Sequence, residues 1–128
     1  MARWRGGPEP QTTSVARGRQ AEQRAASYLQ DQGLELIHCN YYAPCGEIDL
    51  IMQDRTILVF VEVRQRKSEA FCRAAETIDT GKQQRLRATA EHYLQKHGVS
   101  NDHDCRFDIL TITGPAENEH FHWITNAL

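Results

Sequence analysis

From Ser14 onward, apolar residues recur at three- and four-residue steps. Ala21, Ala25, Tyr28 and Leu29 fall on one side of a helix, and Gly33 predicts its end. Leu34 to Tyr42 is strand-like, with Leu34, Leu36 and His38 alternating against Glu35 and Ile37. Pro44 and Gly46 mark a turn. Gly46 to Met52 reads as a second strand, Gln53 to Thr56 as a turn, and Ile57 to Gln65 as a third strand. The third is almost continuously apolar up to Glu62, the pattern of a strand covered on both faces. Residues 66–79 are polar and irregular, with one helical turn expected around Ala74. A second helix follows: Thr80 and Gln83 have capping-box spacing, Leu86, Ala90, Tyr93 and Leu94 form its inner stripe, and Gly98 ends it. Arg106 to Thr113 is a fourth strand, Gly114-Pro115 a turn, and Phe121 to Ile124 a fifth strand or a docked tail. This order predicts an α/β domain with a central mixed sheet of four to five strands flanked by helices, in the order α-β-β-β-α-β.

The chain of 128 residues, 40% hydrophobic and 25% charged, has the size and composition of one globular domain. Residues 1–13 are rich in Gly, Pro, Gln and Arg without apolar periodicity and read as a flexible tail, leaving 14–128 as the domain. The longest apolar run, Ile57 to Val61, falls far short of the roughly 20 residues a membrane helix needs. The first residues offer no apolar signal segment, so a cytoplasmic protein is expected.

Net charge is −2, which argues against a histone-like binder. Basic residues nevertheless segregate. Five arginines stand against two glutamates in 1–24, Arg17, Arg19 and Arg24 among them. Arg64, Arg66, Lys67 and Arg73 stand against Glu69, and Lys82, Arg85, Arg87 and Lys96 against Glu91, each segment carrying +3. Such patches suit phosphate, or are simply solvated faces. Cys39, Cys45, Cys72 and Cys105 lack the spacing of a zinc site and read as reduced, partly buried thiols. His120 and His122 share a strand face without an evident third ligand.

The chemistry concentrates in the central hairpin. Strand alternation puts Glu47 and Asp49 on one face, and Phe60, Glu62 and Arg64 on one face of the next strand. With Asp54-Arg55 as the turn, Glu47 faces Glu62 and Asp49 faces Phe60, leaving Asp49 and Glu62 as diagonal neighbours roughly 7–8 Å apart. Carboxylates so placed can converge on one small hard cation such as Mg²⁺. The alternative is an exposed face, or one paired with Arg64 and other basic groups. Glu22 lies beside Ala25, Ala26 and Leu29 on the first helix, where it either leans over the sheet or stays in solvent. Lys82, four residues before Leu86, projects from the start of the second helix and reaches the sheet or remains in water.

Arg17-Gly18-x-x-Ala21-Glu22, Asn40, Gly46-Glu47-Ile48-Asp49-Leu50-Ile51, Val59-Phe60-Val61-Glu62-Val63, Lys82 and Arg106-Phe107-Asp108 together resemble the YraN family of uncharacterised bacterial proteins, over about residues 16 to 112. The family is similar to archaeal Holliday junction resolvases within the restriction-endonuclease-like superfamily. The resemblance implies that Asp49, Glu62 and the carbonyl of Val63 hold Mg²⁺ or Mn²⁺, with Glu22 as an additional acid. It also implies a homodimer, as in resolvases. Where the superfamily pattern carries a lysine, this chain carries Arg64. Arginine is permanently charged and cannot act as a general base, though it can orient phosphate. The expectation is therefore a Mg²⁺-dependent endonuclease on branched or structured DNA, with Asp49, Glu62, Arg64, Glu22 and Lys82 as catalytic residues. Arg17, Arg19, Arg66, Lys67, Lys82 and Arg85 are expected along the DNA backbone. The alternative is a DNA-binding module that kept the nuclease fold without the chemistry.

Overall fold

The structure, a computed structural model, describes residues 14–67, 78–115 and 117–128. The expected tail, the expected turn around Ala74, Cys72 and Arg73 lie outside them. Helix α1 (Ser14–Asp31) precedes strands β1 (Glu35–Ala43), β2 (Gly46–Asp54) and β3 (Ile57–Arg66). Helix α2 (Thr80–Lys96), β4 (Cys105–Thr113) and β5 (His120–Ile124) complete the described elements. The sheet runs in the order β1-β2-β3-β4-β5. Every neighbouring pair is antiparallel except β3 and β4, which are parallel and joined through α2. The expected α-β-β-β-α-β order and mixed sheet are therefore observed, and the C-terminal segment is a fifth strand.

Each face of the sheet has its own core. Ala21, Ala25, Ala26 and Leu29 of α1 pack on Leu50, Met52, Val59, Val61 and Leu110. Leu86, Ala90 and Tyr93 of α2 pack on Ile48, Ile51, Phe60 and Ile109. The central strand β3 is buried from Leu58 to Glu62, as its unbroken apolar run predicts. Burying such a run on both faces supplies most of the driving force for the layered arrangement, at roughly 25 cal/mol per Å² of apolar surface.

Several local expectations are corrected. In β1, Leu36 and His38 are exposed, and the strand's buried side chain is Tyr41, because β1 is an edge strand that α1 and α2 cover only in part. The hairpin turn has two residues, Arg55 and Thr56, not four, with Asp54 paired to Ile57 and Arg55 at φ 59°. The helix cap is Asp79, not Thr80: the Lys82 amide donates to its carboxylate at 2.8 Å, and Gln83 instead donates its side-chain amide to the Ile78 carbonyl. An aspartate at this position satisfies an end amide and favours the positive end of the helix dipole. Cys39 and Cys105 are exposed free thiols, and Cys45 is half-buried.

Gly46 opens β2 against α2. A β-carbon there would sit 3.0 Å from the Thr89 hydroxyl oxygen. That hydroxyl is itself held, donating to the Arg85 carbonyl at 2.7 Å. The missing side chain lets the start of β2, and with it Glu47, lie directly under the first turns of α2.

Candidate functional site

The hairpin register differs from the expected one by two residues. Leu50 pairs with Val61 and Ile51 with Phe60, so Asp49 lies level with Glu62 instead of diagonal to it. A two-residue shift preserves which face a side chain occupies. A second irregularity does not. Ile48 and Ile51 both belong to the α2-side core, whereas Leu50 and Met52 belong to the α1-side core. Residues three apart share a face only where strand alternation breaks, and the break falls at Asp49. Across on β1, the ladder passes from Cys39–Leu50 to Tyr41–Ile48 and skips Asn40, whose φ is 54°. Asparagine tolerates this left-handed conformation better than most residues.

This kink builds the site. The β2–β3 ladder begins at Leu50–Val61, so the Val63 amide has no β2 carbonyl to meet. It donates to Asp49 Oδ2 at 2.8 Å instead. From α1, Glu22 comes over the sheet to Asp49, and shares a cleft with Asn40. Carboxylate oxygens of Glu22, Glu47 and Asp49 all lie within 4.8 Å of one another, the one such group of three among the described residues. On the α2 side, Glu62 is buried and ion-paired with the Lys82 ammonium.

The electrostatics follow from that crowding. Burial, then the negative charge of Glu62 and then that of Glu22, push the Asp49 carboxyl up to about 8, against the pull of the Val63 amide. Glu22 is also raised, chiefly by burial and further by Glu47, while its bonds to Asp49 and Asn40 and the charge of Arg19 act in the opposite direction. Burial and mutual repulsion therefore favour a proton on the Glu22–Asp49 pair over two full charges.

The donor set fits a small divalent cation. Glu22 Oε1 is out of water and has no hydrogen-bond partner. An acceptor left orphaned beside two further carboxylates is costly, and a hard cation removes the cost. Around octahedral Mg²⁺ cis oxygens stand about 2.9 Å and trans oxygens about 4.2 Å apart, so the three carboxylates would have to draw together on a cation, which the exposed Glu47 side chain is free to do. Of the residues expected to bind metal, Asp49 is in the cluster. Glu62 lines the same cleft as Asp49 and is ion-paired with Lys82, and the Val63 amide donates to Asp49. Glu47, a hairpin acid whose place at a metal site the sequence left open, is exposed and lies in the cluster.

Two clefts meet at Glu47. One, of about 250 Å³, is lined by Gly46, Glu47, Asp49, Glu62, Lys82 and Arg85. The other, of about 220 Å³, is lined by Gly18, Arg19, Glu22, Asn40, Tyr42 and Glu47. Of the expected phosphate contacts, Lys82, Arg85 and Arg19 stand along these clefts; Arg17, Arg66 and Lys67 do not line them. Arg64 is half-buried on β3 beyond Glu62, level with Thr111 of β4. His122 Nε2 lies 3.2 Å from the Thr113 hydroxyl, and no third ligand joins His120 and His122 among the described residues.

Residues 21–112 match the family described as Uncharacterised protein family UPF0102. The chain belongs to the UPF0102 family. A UPF0102 protein of Nitrosomonas europaea is 50% identical over 111 residues, covering 87% of this chain and 92% of its own. One from Nitrosococcus oceani is 47% identical over 111 residues, covering 87% of this chain and 90% of its own. One from Stutzerimonas stutzeri is 44% identical over 114 residues, covering 89% and 95%. The UPF0102 match spans Glu22, Asn40, Glu47, Asp49, Glu62 and Lys82, so the whole acidic site lies inside the family region. It also spans Arg106 and Asp108, which stand in a structural network. The fully buried Asp108 carboxylate accepts from Arg106 Nε at 3.0 Å, Trp123 Nε1 at 2.9 Å and the Asn126 amide at 2.9 Å. Arg106 also pairs with Asp54 at 3.0 Å, tying β4 to the hairpin turn. Among the described residues no helix is long and apolar enough to cross a membrane.

Asn40 is the site residue whose role sequence reasoning missed, and the place of Glu47 was left open. The available signal for Asn40 was a poor strand former inside an otherwise strand-like run. Glu47 shared a face with Asp49, but spacing alone did not rank the three hairpin acids.

Proposed function

We propose that this protein is a divalent-cation-dependent phosphodiesterase of nuclease type, with a restriction-endonuclease-like arrangement, acting on branched or structured DNA. The observation that carries the reading is the convergence of Glu22, Glu47 and Asp49 beside a buried Glu62–Lys82 ion pair. Glu22, Glu47 and Asp49 would hold Mg²⁺ or Mn²⁺. Bound there, the cation would supply Lewis-acid stabilisation of phosphate charge and a lowered pKa for water. Lys82 has one ammonium hydrogen on Glu62 and two left for a phosphate oxygen in the same cleft. Arg85 adds positive charge on that side and Arg19 on the other. Hydrolysis adds water at phosphorus and breaks one P–O bond, leaving a phosphate monoester and a hydroxyl.

Arg64 favours a second reading, a DNA-binding module without turnover, because a guanidinium cannot accept a proton from water. One experiment separates the two. Single-stranded, duplex, flap and four-way DNA are incubated with Mg²⁺ or Mn²⁺, and wild type is compared with Asp49→Asn. Cleavage by wild type alone supports the enzyme. Salt-sensitive binding without cleavage supports the module. Absence of both refutes a nucleic-acid role.

A further inference from the structure

Three large hydrophobic residues are exposed among the described ones, and all lie on the edge strand β1: Leu36, Ile37 and Tyr42. They do not form one patch. Leu36 and Ile37 sit at the start of the strand, five to six residues from Tyr42, roughly 17–20 Å along an extended chain. Tyr42 is the most open, at 60% exposure. It pairs directly with Glu47 across the β1–β2 ladder, which places its ring next to the Glu22–Glu47–Asp49 cluster. It also lines the 220 Å³ cleft together with Arg19. One concavity therefore offers an exposed aromatic ring, a guanidinium and two carboxylates of the candidate cation site, Glu22 and Glu47.

Resting on the nuclease reading, we infer that Tyr42 is a stacking platform for an unpaired base of the strand whose phosphate meets the cation held by Glu22, Glu47 and Asp49. A ring at a cleft wall can stack only on a base with an uncovered face. Inside a duplex both faces of each base are covered by its neighbours. The site thus selects strands carrying an unpaired nucleotide next to the bound phosphate, as at single-stranded ends, flaps and branch points. Arg19, in the same cleft, holds the adjacent backbone charge. The phenol hydroxyl plays no part in stacking, so phenylalanine serves equally well.

The test uses the full chain and three probes: a fluorescein-labelled thymidine 12-mer, its fully abasic counterpart, and the 12-mer in a blunt duplex. Affinities are read by fluorescence anisotropy in EDTA and again in Ca²⁺. Tyr42→Ala is expected to weaken binding to the 12-mer about tenfold, the change that about 1.4 kcal/mol of lost stacking produces. Duplex affinity should stay within twofold, and Tyr42→Phe should bind as wild type does. Wild type should lose about the same factor on the abasic strand, with no further loss in Tyr42→Ala, since the two changes remove one contact. The inference is overturned if Tyr42→Ala binds the 12-mer normally or weakens both probes equally. It is also overturned if the change dissociates a dimer while leaving DNA binding intact, which would make Tyr42 part of an interface between copies. Metal-dependent cleavage by wild type alongside any of these results would leave the nuclease reading standing. No binding and no cleavage on any probe would bring both down.

Discussion

Replacing Asp49 by asparagine should stabilise this protein, and increasingly so as pH rises. The Asp49 carboxyl titrates from 3.8 when unfolded to about 8 in the folded chain. Between those values the folded state binds one more proton than the unfolded state, so the stability that Asp49 contributes is full below pH 4 and falls by about 1.4 kcal/mol per unit. By pH 8 the accumulated loss is on the order of 5 kcal/mol, a large part of the 5–15 kcal/mol typical of a domain. Asparagine mimics the protonated acid: its carbonyl oxygen accepts from the Val63 amide, and its NH₂ donates to Glu22 where the shared proton stood. Urea unfolding in EDTA at pH 5, 7 and 8.5 measures the effect. Wild type should lose stability across the series, and Asp49→Asn should stay nearly flat, so the gap between them widens by several kcal/mol. Adding Mg²⁺ should narrow it, because a cation that binds the ionised site stabilises the wild-type folded state alone. Parallel pH profiles for the two proteins, or an Asp49→Asn variant less stable at pH 8.5, would refute the account of a strained, proton-sharing cluster.

Three further outcomes follow from the geometry. Asp108→Ala leaves the Arg106 guanidinium, the Trp123 indole and the Asn126 amide without their shared acceptor; chemical denaturation should show a loss of about 3–5 kcal/mol. Asp79→Ala removes the acceptor of the Lys82 amide at the start of α2; thermal unfolding should report a cost of about 1 kcal/mol, and because Lys82 sits in that first turn, any cleavage activity should fall by more than the stability change explains. Arg64→Lys exchanges a permanent planar cation for an ammonium able to share a proton with water; metal-dependent cleavage should rise at least several-fold with DNA affinity unchanged, and vigorous wild-type cleavage that drops in the variant would show Arg64 to be a working group.

Local patterning was enough to read the elements. Val59, Phe60 and Val61 are apolar on both sides of a strand, and that property belongs to the segment itself, so β3 was recognisable as the covered centre of a sheet. The stripes Ala21–Ala25–Leu29 and Leu86–Ala90–Tyr93 are equally local, and both helices lie where they point. The grouping of acids in the hairpin was legible for the same reason, since Glu47, Asp49 and Glu62 sit on adjacent strands. What the chain alone left open depends on contacts between distant segments. Register was missed by two residues because the turn is set by one left-handed residue, Arg55, that no residue preference announces. The break in alternation at Asp49 falls opposite Asn40 of the neighbouring strand, at φ 54°. The rotation of α1 that brings Glu22 onto Asp49, and the approach of α2 that gives Lys82 to Glu62, are decided by how the two cores pack. Only the tertiary structure could therefore assign Glu22, Glu47 and Asp49 to one cluster and Glu62 to an ion pair: charge is carried by the sequence, but the distance between charges is a property of the packed fold.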